Sequence, residues 1–491
     1  MTPPGVPWGV YDAGTSAGFL QGVLNRADRE AVLVCPPPGD GDAEAYCAGF
    51  LGVLRSLAER EARGGLTLVL PAAADSGLVA GLTRAFVLEE PGLRVRRVHV
   101  DPWPAGGWDG AAVGRLLGRV GGHPGEQDVL LRGGHLLARR LAPAVLPPLP
   151  PGTLGAADGG YLVTGGTGGI GRAVTDWLIH HQGVPPERVT VTGRTAPSGL
   201  RPGVRFLALD LAAPFDPGAL AARTGPLAGV FHLAGALDDG VLRNLDASRL
   251  PAVLAPKLAL PRLMELAGRA GAAWVTAFSS TSSLLGAAGQ ANYAAANGWS
   301  DAHAHWAHPG AGGPALVAVG WGTWEATGMA AANARAGEAA RGGGESPLPA
   351  GTALALLGKV VAGLLSGSAP ARNLAVCDID WPASPWAGNP LVASLPAGQP
   401  AAAGRPAAER TPAADDATGA GDEADPVRSF LRAYVHRWDE SRRLGELGLD
   451  SLDFARMRGD FARTFGKDVP LSALARPDQR LGQLYAFLSE C

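Results

Sequence analysis

Residues 161–179, YLVTGGTGGIGRAVTDWLI, constrain this chain more than any other stretch. An apolar, β-branched run ends in Thr164-Gly165-Gly166-Thr167-Gly168-Gly169-Ile170-Gly171, and an amphipathic helical pattern follows at once. Glycine permits a tight turn and a close backbone approach, while the first turn of a helix presents N–H groups with no intrahelical partner. Strand, glycine turn and helix in that order can cradle a pyrophosphate and belong to a doubly wound parallel sheet. In a chain with 71 glycines the run alone is weak. Its position between strand and helix strengthens the reading, with a plain tight βα turn as the alternative.

The same alternation extends to both sides. RVTVTGR, VRFLALD, GVFHLAG, AAWVTAFSS and ALVAVGWG continue a strand–helix pattern to about residue 395. Before the glycine turn, AVLVCPP, LTLVLPAA, VRRVHVD and DVLLRGG repeat the pattern, and no glycine fingerprint follows any of them. PPLPP at 147–151 reads as an extended connector. Residues 396–425 are rich in Pro, Ala and Gly and almost free of large apolar side chains, so they read as a flexible tether. From Pro426 helical periodicity returns in VRSFLRAYV, SLDFARMRGDFARTF and RLGQLYAFL. The expected organisation is therefore an α/β subdomain at 1–155, a second at 156–395, the tether, and a small helical bundle at 426–491.

Charge and cysteine usage narrow the function. A net charge of −3 spread through 491 residues asks for neither nucleic acid nor an anionic membrane. No run of about 18 apolar residues occurs, and MTPPGVPWGVYD lacks the basic and apolar regions of a secretory leader. The four cysteines, Cys35, Cys47, Cys377 and Cys491, form no CxxC pair, which favours a reducing, cytoplasmic setting. His303, His305 and His308 in AHAHWAHPG look like metal ligands. A helix sets the first two on different faces, and no carboxylate or thiolate accompanies them, so no metal is expected.

Two residues near the glycine turn bear on a nucleotide. Arg194 ends the next strand, where an acidic residue would grip a ribose 2′-hydroxyl. Arginine there suits a 2′-phosphate and so NADPH, although a surface arginine after a strand is common. Asp210, after VRFLAL, could accept from an adenine amino group or cap a helix. Further on, Ser280 ends a strand, Tyr293 lies in Ala-rich helical sequence, and Asn297 follows it at i+4 on the same face. Reducing a ketone needs a hydride on carbon and a proton on oxygen. A tyrosine with an ordinary pKa of about 10 can give that proton more readily beside a cation, and a serine hydroxyl can hold the carbonyl oxygen.

TGGTGGIG with Ser280, Tyr293 and a residue at i+4 resembles the short-chain dehydrogenase/reductase superfamily. Most members carry lysine after the tyrosine in YxxxK, whereas this chain has YAAAN. Lys257, in AVLAPKLALPRLMEL, supplies the cation earlier in the chain, as in the ketoreductase domains of modular polyketide synthases. FHLAGALDDGVL, GQANYAAAN, VGWGTW and LLRGGHLLARRL agree over roughly residues 25–385. The resemblance implies two Rossmann-like subdomains, the first degenerate and without cofactor, the second binding NADPH. It also implies a tetrad in which Tyr293 donates the proton, Ser280 binds the carbonyl, Lys257 lowers the tyrosine pKa and Asn297 orders a relay water. Leu237-Asp238-Asp239 resembles the motif of ketoreductases that yield the D-configured hydroxyl, against an exposed acidic loop as the plain reading. The tryptophan of the opposite class would fall near Leu285 and is absent. Ala288 stands where the family has proline, and the segment between Arg194 and Asp210 is short for the helix usually found there. GTWEATGMAAANARAGEAARGGG resembles the family's mobile lid, with Gly343 as a hinge.

In ELGLDSLDFARMRGDF, Asp450 precedes Ser451 at the start of a helical pattern. This resembles the Asp-Ser-Leu motif of acyl carrier proteins, where the serine bears 4′-phosphopantetheine; a bare N-cap serine is the alternative. The bundle holds 11 basic and 9 acidic residues, unlike many acidic carriers. The resemblance implies a four-helix carrier presenting a β-ketoacyl thioester to a reductase, its own or another. Its partners would be a ketosynthase, an acyltransferase and a phosphopantetheinyl transferase. A reductase of an α-ketoacyl thioester or diffusible ketone, and a carrier scaffold with an inactive reductase fold, remain alternatives.

Overall fold

The computed structural model describes residues 6–395 and 425–490, apart from 13–14, 25–28, 39–41, 307–311, 326–343, 370, 436–437, 448, 450, 468 and 475–478. Gly343 and the lid-like stretch from 326, the tether up to 424, His308, Asp450 and Cys491 therefore lie outside the described residues.

Two sheets dominate. The first contains β1 (Trp8–Val10), β2 (Glu30–Val34), β3 (Gly64–Pro71), β4 (Leu93–Asp101), β5 (Asp128–Arg132) and β6 (His135–Ala138). Strands β1 to β5 are parallel and β6 closes the edge as an antiparallel hairpin with β5. Between them run α1 (Ser16–Val23), α2 (Ala43–Glu59), α3 (Ser76–Glu89) and α4 (Gly110–Val120). The strands alternate as a sheet covered on both faces requires. Ala31 and Leu33 of β2 pack in the core with α1, α2 and α3, while Val32 and Val34 face Val113, Leu116 and Val120 of α4. The strand order simply follows the chain. It never reverses, so this sheet has no switch-point crevice of the kind dinucleotides use.

After α5 (Thr153–Ala156) the second sheet begins. It comprises β7 (Gly160–Thr164), β8 (Val189–Gly193), β9 (Arg205–Ala208), β10 (Leu227–His232), β11 (Trp274–Ser280), β12 (Ala315–Trp321) and, beyond a short β13 (Glu345–Ser346), the edge strand β14 (Asn373–Val376). β13 pairs instead with β15 (Asp378–Ile379). The order β14-β12-β11-β10-β7-β8-β9 is parallel throughout and reverses between β7 and β10. Its helices are α6 (Gly169–His180), α7 (Pro217–Thr224), α8 (Pro251–Leu258), α9 (Leu260–Arg269), α10 (Thr281–Leu285), α11 (Ala291–Trp306) and α12 (Ala350–Leu365). Residues 194–204 connect β8 to β9 without a helix, which accounts for the short spacing between Arg194 and Asp210.

The two subdomains meet chiefly through α3 and α11. Glycines make this crossing close: a Cβ on Gly81 would lie 2.2 Å from the Ala294 carbonyl oxygen, and one on Gly298 would lie 2.4 Å from that of Gly77. Behind the crossing, Arg84 and Arg97 converge on Asp128 at 2.7 and 2.8 Å. Burial opposes the Asp128 charge, but the two guanidinium groups hold its carboxyl well below the usual carboxylate range.

The C-terminal unit is a bundle of α13 (Pro426–Arg432), α14 (Ser451–Phe465), α15 (Leu471–Leu474) and α16 (Leu481–Glu490). Leu431, Met457, Phe461, Leu481, Leu484 and Leu488 form its apolar centre, and Val241 of the second subdomain joins the same cluster with Ala288 packed against it.

Candidate active site

The glycine turn sits at the carboxyl end of β7, on the side where the strand order reverses. Gly165 has φ +69°, and a Cβ there would lie 2.9 Å from the Ala234 backbone. A Cβ on Gly171 would meet the Gly165 carbonyl oxygen at 2.4 Å, so the turn closes onto the helix that follows. Gly168 occupies the N-cap of α6 with no side-chain cap, and a Cβ there would meet nothing nearer than 3.5 Å. The N–H groups of Gly169, Ile170 and Gly171 begin this helix, which leaves a bare, positively polarised terminus beside an open glycine face. These features fit a dinucleotide pyrophosphate. Thr167 packs against Gly193, and Arg194 is exposed one residue beyond it, at the end of β8. Asp210 caps no helix: its Oδ1 accepts from Ala212 N at 3.0 Å in a local turn, with the side chain exposed.

Thr164 points inward. Its Oγ1 lies 2.7 Å from Nδ1 of His232, which ends the neighbouring β10. Burial and the Lys257 charge push the His232 pKa down to about 3, so this ring is neutral. His232 thus links the strand of the glycine turn to the surroundings of Lys257. In the sequence, nothing within FHLAG marks His232 as more than a strand residue.

Lys257, near the end of α8, is buried, and its Nζ donates to the Phe278 carbonyl at 2.6 Å. Phe278 lies on β11 two residues before Ser280, so the ammonium is fixed alongside the strand that delivers the serine. Burial pushes the Lys257 pKa down to about 8, with Asp301 pulling it back up. Ser280 ends β11 and caps α10, accepting from Ser282 N at 3.2 Å. Tyr293 and Asn297 stand one turn apart on α11, where the Asn297 amide donates to the Tyr293 carbonyl at 2.9 Å. Asn297 is buried, and its Oδ1 accepts no well-aligned hydrogen bond. Burial raises the Tyr293 pKa, while the Asn297 and Ser280 side chains draw it down. The four residues of the expected tetrad therefore come from β11, α8 and α11 to one end of the second sheet.

The loop carrying Leu237, Asp238 and Asp239 forms one side of this end. Arg249 pairs with Asp238 and holds its carboxyl below the usual range. Burial raises the Asp239 pKa, and Gln290 Nε2 donates to its Oδ2 at 2.9 Å. Asn292 Nδ2 donates to the Asp238 carbonyl at 2.8 Å, and Gly240 N to the Gly289 carbonyl at 2.7 Å. The acidic loop is therefore stitched to the segment that leads into Tyr293, rather than extended into solvent. Leu285 is buried, and Ala288 faces the C-terminal bundle.

Ser451 is the first residue of α14. His303 stacks on Trp299 with ring centroids 5.0 Å apart, and His305 meets the edge of Trp306. Among the described residues no helix is long and apolar enough to cross a membrane. Cys35, Cys47 and Cys377 are free thiols.

Comparison with known proteins places these features in context. Residues 159–326 match the KR domain family, and residues 427–488 match the phosphopantetheine attachment site family. The chain is 32% identical over 510 residues to polyketide synthase GfsB of Streptomyces halstedii, covering 93% of this chain and 9% of that protein. It is 38% identical over 270 residues to the spectinabilin polyketide synthase system protein NorA of Streptomyces orinoci, covering 51% of this chain and 13% of NorA. The chain thus spans only a small fraction of the curated relatives it matches. Among solved structures, an A1-type ketoreductase aligns with a TM-score of 0.65 at 26% identity, over 81% of this chain and 94% of that one. A C2-type ketoreductase from a modular polyketide synthase aligns with a TM-score of 0.63 at 25% identity, over 79% of this chain and 89% of that one.

Proposed function

We propose, for a chain that joins a polyketide-synthase KR domain to a phosphopantetheine attachment site, that it reduces a β-ketoacyl thioester carried on its own C-terminal bundle to the β-hydroxyacyl thioester. The observation that carries this reading is the convergence of Ser280, Tyr293, Lys257 and Asn297 on the end of the sheet where β7 presents its glycine turn. A nicotinamide dinucleotide held at that turn would supply the hydride. The bare N-terminus of α6 suits its pyrophosphate, and Arg194 suits the 2′-phosphate of NADPH.

The remaining work falls to side chains of this protein. Ser280 offers a hydroxyl to the substrate carbonyl oxygen, and Tyr293 gives that oxygen its proton. The Lys257 ammonium, fixed on the Phe278 carbonyl, favours the phenolate left behind. Asn297, with an unmatched buried Oδ1, suits a water that returns a proton to the tyrosine.

The loop of Leu237, Asp238 and Asp239 supports a D-configured product. Overall likeness does not choose between outcomes, because the similar structures include both A1-type and C2-type ketoreductases. Ser451 would bear the phosphopantetheine arm. Val241 and Ala288, which share the apolar cluster of the bundle, are the surface on which the carrier meets the reductase. A tether of some 30 residues keeps the local concentration of such a substrate high. A separate phosphopantetheinyl transferase would attach the arm, and a ketosynthase and acyltransferase would build the acyl chain. The free thiols suit the cytoplasm.

Intact mass of the bundle tests the proposal. Incubation with coenzyme A and a phosphopantetheinyl transferase should add a pantetheine mass that Ser451→Ala abolishes. Loading a β-ketoacyl group and adding NADPH should then add two hydrogens, a gain lost in Tyr293→Phe. Pantetheine without reduction would instead favour a carrier scaffold with an inactive reductase fold.

A further inference from the structure

Glu89 is the last residue of α3, in the subdomain that carries no glycine turn, and it is 3% exposed. Its two carboxylate oxygens are divided between two loops of the other subdomain. Oε2 accepts from Leu242 N at 2.6 Å, immediately after the Leu237-Asp238-Asp239 loop. Oε1 accepts from Gly289 N at 2.9 Å, in the segment that leads into Tyr293. Both loops are also joined directly, through Gly240 N to the Gly289 carbonyl and through Gln290 to Asp239. The same helix also braces α10 and the start of the second loop. Arg84 donates to the Ser283 carbonyl at 2.6 Å, and a Cβ on Gly286, at φ +81°, would lie 2.4 Å from the Arg84 carbonyl oxygen.

A carboxylate is an unfavourable choice at this point for stability alone. It sits at the carboxyl end of a helix, where the macrodipole repels negative charge, and burial strips its water. What it offers is two acceptor oxygens at fixed separation, each able to take a charge-assisted hydrogen bond. An amide can accept at only one of them, and an apolar residue at neither.

We infer that Glu89 is a positioning residue: one carboxylate from the non-catalytic subdomain sets the spacing between the acidic loop 237–242 and the loop 286–290, and thereby the shape of the substrate entrance over Tyr293. The stereochemical part of this inference rests on the reductase reading. The clamp itself does not.

The test compares the full chain with Glu89→Gln and Glu89→Asp. Amide hydrogen exchange is followed at 237–242 and 286–290, with 164–171 as the internal control. In parallel, each protein reduces a β-ketoacyl N-acetylcysteamine thioester with NADPH, and the epimeric alcohols are resolved by chiral chromatography. In Glu89→Gln both loops should exchange about tenfold faster with the control segment unchanged, the loss expected for one charge-assisted hydrogen bond. The epimer ratio should fall about fivefold or more, with KM rising more than kcat falls, as a loosened entrance predicts. Glu89→Asp keeps both acceptors and should recover part of each effect, which separates clamping from a general fault in folding. Unchanged exchange at both loops, or an unchanged epimer ratio in Glu89→Gln, overturns the inference. If the parent reduces no thioester, the reductase reading falls, and exchange at the two loops alone upholds or overturns the clamp.

Discussion

A Cβ built on Gly77 would lie 2.1 Å from the carbonyl oxygen of Gly298, so α3 and α11 touch backbone to backbone across the subdomain boundary. α11 carries Tyr293 and Asn297, and its position is therefore set by a helix from the subdomain without a cofactor turn. Gly77→Val would force these helices apart. The expected cost is roughly 3 kcal/mol, read by chemical denaturation, together with loss of thioester reduction even though no residue of the site has changed. A variant as stable and active as the parent would show that the crossing does not position α11.

Tyr293 is the proposed proton donor. Tyr293→Phe removes one hydroxyl and leaves the ring's packing in place. NADPH oxidation with a diffusible β-ketoacyl thioester should slow about 10²–10⁴-fold, the usual span for a general acid. NADPH binding, followed by fluorescence, should change little, since the glycine turn and α6 are untouched.

Much of this arrangement was legible in the sequence because its signals are local. The glycine turn announces itself through residues that must lack a Cβ between a strand and a helix. Ser280, Tyr293 and Asn297 are close in the chain, so helical spacing alone puts two of them on one face. The rest depends on contacts between distant segments. Glu89 and Gly289 are 200 residues apart, and nothing around Glu89 distinguishes it from a glutamate at the end of any amphipathic helix. His232 reads as a strand residue until Thr164 is placed beside it. Gly77, Gly81 and Gly298 disappear in a glycine-rich chain, because their meaning lies in what each one faces. Asp210 shows a local limit of spacing: the alternative of a helix cap gives way to a turn in which its Oδ1 accepts from Ala212 N, while the carboxylate stays exposed.

The role proposed for Lys257 implies a pH limit on the reaction. Burial brings its pKa down to about 8, so the ammonium is present below that value and is lost as pH rises through it. If the ammonium favours the Tyr293 phenolate, kcat for reduction should fall above about pH 8. Lys257→Met should lower the rate and flatten that alkaline limb. A parent profile level to pH 10 would remove Lys257 from the proton-transfer step.

Arg194 is exposed one residue beyond β8, the position proposed to meet the 2′-phosphate of NADPH. Arg194→Ala should weaken NADPH about tenfold or more, as expected for losing a charge-assisted contact, while NADH binding changes little. Titrating each nucleotide against parent and variant measures the ratio. Equal losses for both would assign Arg194 to the structure of the β8–β9 connection.

The meeting of carrier and reductase at Val241 separates two kinds of substrate. Val241 is 1% exposed within the apolar cluster of the bundle, and beside it burial pushes the Glu89 pKa up to about 7, a rise that Arg458 of α14 weakly opposes. Val241→Asp puts a charge into that apolar contact, and Arg458→Glu reverses a charge near Glu89. Each should raise KM for a β-ketoacyl group borne on a separately added carrier bundle by about tenfold, equivalent to about 1.4 kcal/mol of docking. Arg458→Glu, which lies on the bundle and not on the loop, should alter kcat/KM for a diffusible thioester by no more than about twofold, because the arm, rather than the bundle, enters the cleft. In the intact chain the same substitutions should matter less, since the tether makes the encounter intramolecular and supplies concentration that weakened docking no longer provides. Equal losses with both substrates in Arg458→Glu would mean that the contact acts by holding the loop 237–242, of which Val241 is part, and the carrier would then have to approach Tyr293 by another face.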